Sequence, residues 1–217
     1  MPKSLIVLGG GAVGCELGQI LGRFGVDVTT VEAGDRLLPA EEPEASQVLQ
    51  ASLNAEGIQV VTGAAAEQVQ AREGSIVVKL KGDKELAGEG LLVATGRTVD
   101  LNDLGLESAG LNSTAKIIQV DERMRAADGI WAMGDVTGKG MFTHVALYQS
   151  AIIAADILGE HHPPARYDAV RRAIFTDPEV GAVGQYDLRL SHVLWRDRRG
   201  GGGVRTWIVN RSRSQVP

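Results

Sequence analysis

Four apolar residues, Leu5-Ile6-Val7-Leu8, run straight into Gly9-Gly10-Gly11, and Ala12-Val13-Gly14-Cys15-Glu16-Leu17-Gly18 follows with helical spacing. A short apolar run cut off by glycines reads as a buried strand that feeds a tight turn and then a helix, here from Ala12 to about Phe24. Glycines at positions 9, 11 and 14 match a dinucleotide-binding turn. Gly9 permits the tight turn, Gly11 lets the backbone approach a pyrophosphate, and Gly14 lets the helix pack against the strand. The phosphates would then face unpaired N–H groups at the positive end of a helix.

The next segment, Val26-Asp27-Val28-Thr29-Thr30-Val31, reads as a second strand ending at Glu32. That acid lies about 20 residues beyond the glycines, where a ribose partner belongs. A carboxylate there accepts hydrogen bonds from both ribose hydroxyls and repels a 2′-phosphate, which favours NAD over NADP. Arg36 is close enough in sequence to meet a phosphate instead, and Glu32 could also be an ordinary exposed acid at a strand end.

A loop with Leu37-Leu38-Pro39 precedes a helix predicted from about Pro43 to Glu56, with proline in its first turn and Gly57 after its end. Ile58 to Thr62 is a third strand, completing a β-α-β-α-β half of a doubly wound parallel sheet. The segments Ala66 to Ala71, Ser75 to Leu80 and Glu85 to Ala87 are short and alternating, as in an antiparallel meander. Leu91 to Ala94 returns as a buried strand ending at Thr95-Gly96-Arg97. Further on, Ile130 to Asp135 reads as a strand ending in Gly134-Asp135, Thr137 to Gly140 as a loop, and Thr143 to Leu158 as a helix stopped by Gly159. The start of that helix, Met141-Phe142-Thr143-His144, suits an electron-rich ligand.

Composition narrows the function. Cys15 is the single cysteine, so no intrachain disulfide and no multi-cysteine metal site can form. It reads as a small packed residue, with a reactive thiolate at a helix start as the alternative. No apolar run reaches the 18 or so residues of a membrane span, and no signal peptide opens the chain, so a cytoplasmic location is expected. Residues 1–184 carry 15 basic and 25 acidic side chains, whereas the last 33 residues carry seven arginines, two aspartates and two of the three tryptophans. The shift marks a boundary.

Four blocks together resemble the pyridine nucleotide-disulfide oxidoreductases, the flavoprotein family of dihydrolipoamide dehydrogenase, mercuric reductase and glutathione reductase. They are Ile6 to Leu38, Leu91 to Arg97, Gly129 to Leu158, and Phe175-Thr176-Asp177-Pro178-Glu179-Val180-Gly181-Ala182-Val183-Gly184. The resemblance implies an α/β fold: a Rossmann-like NAD domain, with parallel sheet and antiparallel meander, followed by the C-terminal part of an FAD-binding domain. It divides the chain into an NAD domain at 1–98, the returning part of an FAD domain at 99–163, the start of a dimerisation domain at 164–184, and an unrelated basic tail at 185–217. Gly9, Gly10, Gly11, Ala12, Val13, Gly14 and Glu16 would then wrap the pyrophosphate and nicotinamide, and Glu32 would hold the adenosine ribose. Glu16 could instead serve only the positive helix end. Ala66 and Gly96 fall where the family lines the nucleotide, although Ala66 could equally be an ordinary strand residue. Asp135 matches the aspartate that binds the ribityl chain of FAD, and Met141, Phe142, Thr143 and His144 match the helix start facing the flavin. For His144 a capping or packing role is an equal alternative, and Phe142 is expected to pack rather than stack.

The implied chemistry is hydride transfer between NAD(H) and flavin in a homodimeric parent. The family's upstream FAD-binding turn and redox cysteine pair have no counterpart here, nor does the far end of the dimerisation domain with its His and Glu. The chain thus reads as truncated at both ends, with no residue assigned to catalysis or to a metal, and as inactive alone, binding NADH without the colour of flavin. The alternative is a non-catalytic NAD-binding module, or a split subunit that needs a separate FAD and disulfide partner. The tail reads as the product of a shifted reading frame in preference to a nucleic-acid-binding arm.

Overall fold

The computed structural model describes residues 1–72, 74–184 and 192–196. The chain divides into two compact units, one comprising Met1–Gly96 joined by the chain from Arg171 onward, the other Arg97–Val170.

In the first unit, β1 (Ser4–Leu8) leads through the glycine turn into α1 (Ala12–Arg23), then β2 (Asp27–Val31), α2 (Pro43–Ala55) and β3 (Gln59–Val61). A meander of β4 (Ala66–Arg72), β5 (Ser75–Leu80) and β6 (Glu85–Gly88) follows, and β7 (Gly90–Val93) returns to the first sheet. That sheet has the order β3-β2-β1-β7 with every pair parallel. The meander is antiparallel, with β5 in its centre.

Both faces of β1 are covered, which explains why its apolar residues are continuous rather than alternating. Leu5 and Val7 join Val26, Val28, Leu49, Leu53 and Ile58 in the core under the helices. Ile6 and Leu8 point the other way and pack with Val31, Val78 and Leu80, so the meander takes the place that a helix layer would occupy. On α1, Gly14, Gly18 and Gly22 recur every fourth residue and face the sheet. A β-carbon at Gly18 would stand 3.8 Å from Val7 and Val28, and one at Gly22 would press on Ile58 at 3.0 Å. The approach is close at Gly14 and Gly22, whereas a β-carbon at Gly18 would make ordinary contact. Cys15, beside that stripe, is buried and donates its Sγ–H to the Gly10 carbonyl at 3.3 Å.

The second unit has little regular structure. Two 3-10 turns, Asn102–Leu104 and Leu106–Ala109, precede a short antiparallel pair, β8 (Arg125–Ala127) and β9 (Ile130–Trp131), a 3-10 turn at Gly134–Thr137, and α3 (Thr143–Leu158). Leu101, Leu106, Met124, Val145 and Ile152 are buried. Asp156 near the end of α3 ties the β8–β9 pair to the helix: it accepts from the Arg123 and Arg125 guanidinium groups and, at 2.8 Å, from the Trp131 indole. The strand expected to run from Ile130 to Asp135 stops at Trp131. Gly134 takes φ +78 and gives its N–H to the Gln149 side chain, so the backbone there turns rather than pairing.

The chain then re-enters the first unit as β10 (Arg171–Ile174) and β11 (Glu179–Val183), with β12 (His192–Arg196) antiparallel beyond them. Ile174 and Val180 complete the core under the helices. Arg172 makes two hydrogen bonds, at 2.8 and 3.1 Å, to the buried carboxylate of Glu41, a paired geometry that holds both charges out of water. Apart from β12, the expectations for residues 185–217 lie outside the described residues. No helix among the described residues is long and apolar enough to cross a membrane.

Two measurements test this packing. Burial, reinforced by the nearby carboxylates of Glu32 and Glu16, pushes the Cys15 thiol up to about 12. The stability that depends on the neutral thiol is complete below its ordinary pKa of 9.0 and is lost as pH rises from there towards about 12. A disulfide reagent at mildly alkaline pH should leave the native chain unmodified and label Cys15 only after denaturant is added. Asp156 is shifted the other way, held near 2 by Arg125 first and then by Trp131 and Arg123. Its stabilising effect is complete above the ordinary value of 3.8 and is lost as pH falls towards about 2. Asp156→Asn should therefore lower the urea midpoint at neutral pH and flatten the acid dependence across that window.

Candidate functional site at the glycine turn

The glycine turn sits where β1 ends, between the ends of β2 and β7. Gly9 adopts φ +106 and donates its N–H to Val31 at 2.8 Å. Any β-carbon at Gly9 would collide with the Ala94 carbonyl, and one at Gly14 with the Gly9 carbonyl. At Gly10 it would lie 2.6 Å from Leu37 and 3.0 Å from Glu32. The protein's own packing therefore requires these three glycines. Gly11 differs: a β-carbon there meets nothing within 4 Å, and its φ of −74 suits any residue. Gly11 is also the N-cap of α1 and offers no side chain to the first-turn N–H groups. A helix start with no side-chain cap and open space beside its N-cap is suited to an anionic group.

Glu32 is bound directly to this turn. Its Oε2 accepts the Gly10 N–H at 2.6 Å and its Oε1 accepts the Gly34 N–H at 2.7 Å. A carboxylate has about four acceptor positions, so two remain for hydroxyl donors after these bonds are made. Arg36 is committed elsewhere: its guanidinium donates to the carbonyls of Leu38, Glu41 and Pro39 at 2.8–3.0 Å. Leu38 in turn donates its N–H to the Gly10 carbonyl at 2.8 Å, so the loop after Glu32 braces the turn from behind.

The other sequence candidates fall at different distances along this end of the sheet. Ala12 and Val13 open α1, with Val13 exposed. Gly96 follows the end of β7 with φ +129 and open space around it. Ala66 is exposed at the first position of β4, two residues after Ala64, whose N–H donates to the Glu32 carbonyl at 3.0 Å. Glu16 lies one turn into α1 and is not merely facing the helix end: its Oε1 accepts the Phe175 N–H at 2.8 Å.

The second unit gathers its own set. Arg97 bonds the Asp135 carboxylate at 3.2 Å and the Met141 carbonyl at 3.2 Å, bringing the 3-10 turn and the start of α3 together. Thr143 opens α3, its N-cap Phe142 makes no side-chain capping bond, and the ring of Phe142 stacks on that of His144 at 5.3 Å. Behind Asp135 stands a residue that the sequence did not single out. Gln149, fully buried, accepts the Gly134 N–H at 2.6 Å and donates to Thr137 at 3.3 Å and Tyr167 at 3.0 Å. A lone amide on the apolar side of a helix was the available signal, since burial of such a group requires partners.

A family model described as pyridine nucleotide-disulphide oxidoreductase matches residues 1–150. Among curated relatives, the dihydrolipoyl dehydrogenase of Chlamydia pneumoniae is 35% identical over 186 residues, covering 85% of this chain and 40% of that protein. The dihydrolipoyl dehydrogenase of Geobacillus stearothermophilus is 34% identical over 193 residues, covering 86% of this chain and 41% of that protein. Among solved structures, LpdA from Mycobacterium tuberculosis matches with a TM-score of 0.80 at 34% identity, over 84% of this chain and 40% of that one. The HOCl-induced flavoprotein disulfide reductase RclA from Escherichia coli matches with a TM-score of 0.76 at 32% identity, over 85% and 43% respectively. The chain thus spans about 40% of the length of these relatives. With its glycine turn, acid and strand order in place and the match extending into α3, the chain belongs to the pyridine nucleotide-disulphide oxidoreductase family.

Proposed function

We propose that this chain binds NAD(H) at the glycine turn and serves hydride transfer between the nicotinamide and FAD, in the manner of a dihydrolipoamide dehydrogenase. The observation that carries the reading is the contrast among the glycines. Packing accounts for Gly9, Gly10 and Gly14, whereas no protein atom lies within 4 Å of a β-carbon at Gly11, which leaves room there for a ligand's approach. The first-turn N–H groups of α1 would receive the pyrophosphate, with Gly10, Ala12 and Val13 around it. Glu32 would accept the adenosine ribose hydroxyls, and its charge would oppose a 2′-phosphate. Arg36, already bonded to three loop carbonyls, is poorly placed to offset that charge, which supports NAD over NADP. Gly96 and Ala66 would line the same cleft, and Glu16 would face the nicotinamide.

In the second unit, Asp135 would accept hydroxyls of the FAD ribityl chain. The start of α3, at Met141, Phe142, Thr143 and His144, would present its positive end to the ring. When bound, FAD supplies a two-electron centre that exchanges hydride with the nicotinamide. Arg97 would orient the Asp135 carboxylate, and Gln149 would hold the turn that carries it.

A second reading is a nucleotide-binding module or split subunit whose flavin and disulfide chemistry lies in a separate partner. Cys15 takes no part in disulfide chemistry in either reading, because its thiol is buried and stays protonated. A cytoplasmic, homodimeric assembly belongs to the first reading.

Calorimetric titration of the whole chain decides the nucleotide site. NADH should bind, and NADPH should bind about tenfold or more weakly. Gly11→Ala should change stability by less than about 1 kcal/mol while weakening NADH at least about tenfold. Gly14→Ala should instead cost about 2 kcal/mol or more in thermal denaturation, through overpacking against the Gly9 carbonyl. Equal NADH affinity for the wild type and Gly11→Ala would sink the proposal.

A further inference from the structure

Glu16, Gln19 and Arg23 follow one another on α1 at spacings of three and four, so they share a helix face. Each meets the turn between β10 and β11. Glu16 accepts the Phe175 N–H at 2.8 Å. Gln19 holds both backbone groups of Asp177, accepting its N–H and donating to its carbonyl, each at 2.7 Å. Arg23 pairs with the Asp177 carboxylate at 2.6 Å. Ser52 on α2 adds a bond to the Asp177 carbonyl at 2.9 Å, and Gln19 also reaches Glu56 at 2.9 Å.

Within this ladder Gln19 is the buried centre, only 3% exposed. A buried amide whose partners are backbone groups fixes a loop more firmly than a surface ion pair can. Glu16 is the rung nearest the glycine turn. A glutamate side chain has several free torsions, and the Phe175 N–H selects one arrangement for its carboxylate.

We infer that Gln19 is a positioning residue for the half of the dinucleotide beyond the pyrophosphate. By clamping Asp177 it fixes the Phe175 N–H, and through that bond it holds the Glu16 carboxylate ready for the nicotinamide side. The inference rests on the NAD(H) reading of the glycine turn.

The test compares NADH with ADP-ribose, which keeps the adenosine and pyrophosphate but lacks nicotinamide, on the full chain. Gln19→Ala should weaken NADH about five- to tenfold while ADP-ribose stays within about twofold. Ser52→Ala, a small change that loosens the same loop, should move the NADH to ADP-ribose ratio the same way by about two- to threefold. If Gln19→Ala fails to fold by circular dichroism, Ser52→Ala decides alone. A ratio unchanged in the folded variants, or both ligands weakened equally, overturns the inference and leaves the dinucleotide site standing. Equal affinity of the wild type for both ligands does the same. A wild type that binds neither overturns the NAD(H) reading and the inference with it.

Discussion

The carbonyl oxygen of Gly9 occupies the position that a β-carbon at residue 14 would need, and the Ala94 carbonyl occupies the one that residue 9 would need. These two close approaches bring the start of α1 down onto the ends of β1 and β7. With a side chain at either position, the helix would lift from the sheet, the Gly10 N–H would leave Glu32, and the Cys15 thiol would lose the Gly10 carbonyl. Farther along α1, Gly22 leaves room for Ile58. This end of the unit is thus set by atoms that are absent, while the loop carrying Leu37 and Leu38 holds the turn from behind.

Much of this was legible from local pattern. The glycine spacing, the apolar run of β1, Pro43 opening α2 and the alternation in the meander each depend on backbone geometry over a few residues, and each element formed where its pattern lies. The continuous apolar character of Leu5 to Leu8 carried longer-range information as well, since it reported that both faces of the sheet are covered. It did not say by what: a meander and a helix layer bury such a strand equally well.

What the sequence left obscure is the identity of distant polar partners. Gln19 and Gln149 look alike in sequence, each a single amide in an apolar helix, yet one clamps a hairpin turn and the other a 3-10 turn. Nothing in the local pattern around Glu16 announced the Phe175 N–H as its partner. The Gly134-Asp135 pair reads as a strand end because the residues before it are apolar, but a tertiary hydrogen bond from the Gly134 N–H to the Gln149 side chain overrides that local tendency. Such partners are fixed by where the chain returns in space, which periodicity does not encode.

That return has a consequence for the order in which the molecule is made. The first unit is interrupted by the second, so the buried carboxylate of Glu41 is synthesised 131 residues before Arg172, its partner. A lone carboxylate cannot be sealed under apolar side chains at tolerable cost. In the growing chain the Glu41 carboxylate therefore has no Arg172 to pair with until the entire second unit has emerged. The residues of the glycine turn are made early, whereas Ile174, Asp177 and Val180, which complete the packing beside α1 and α2, are made only after the second unit.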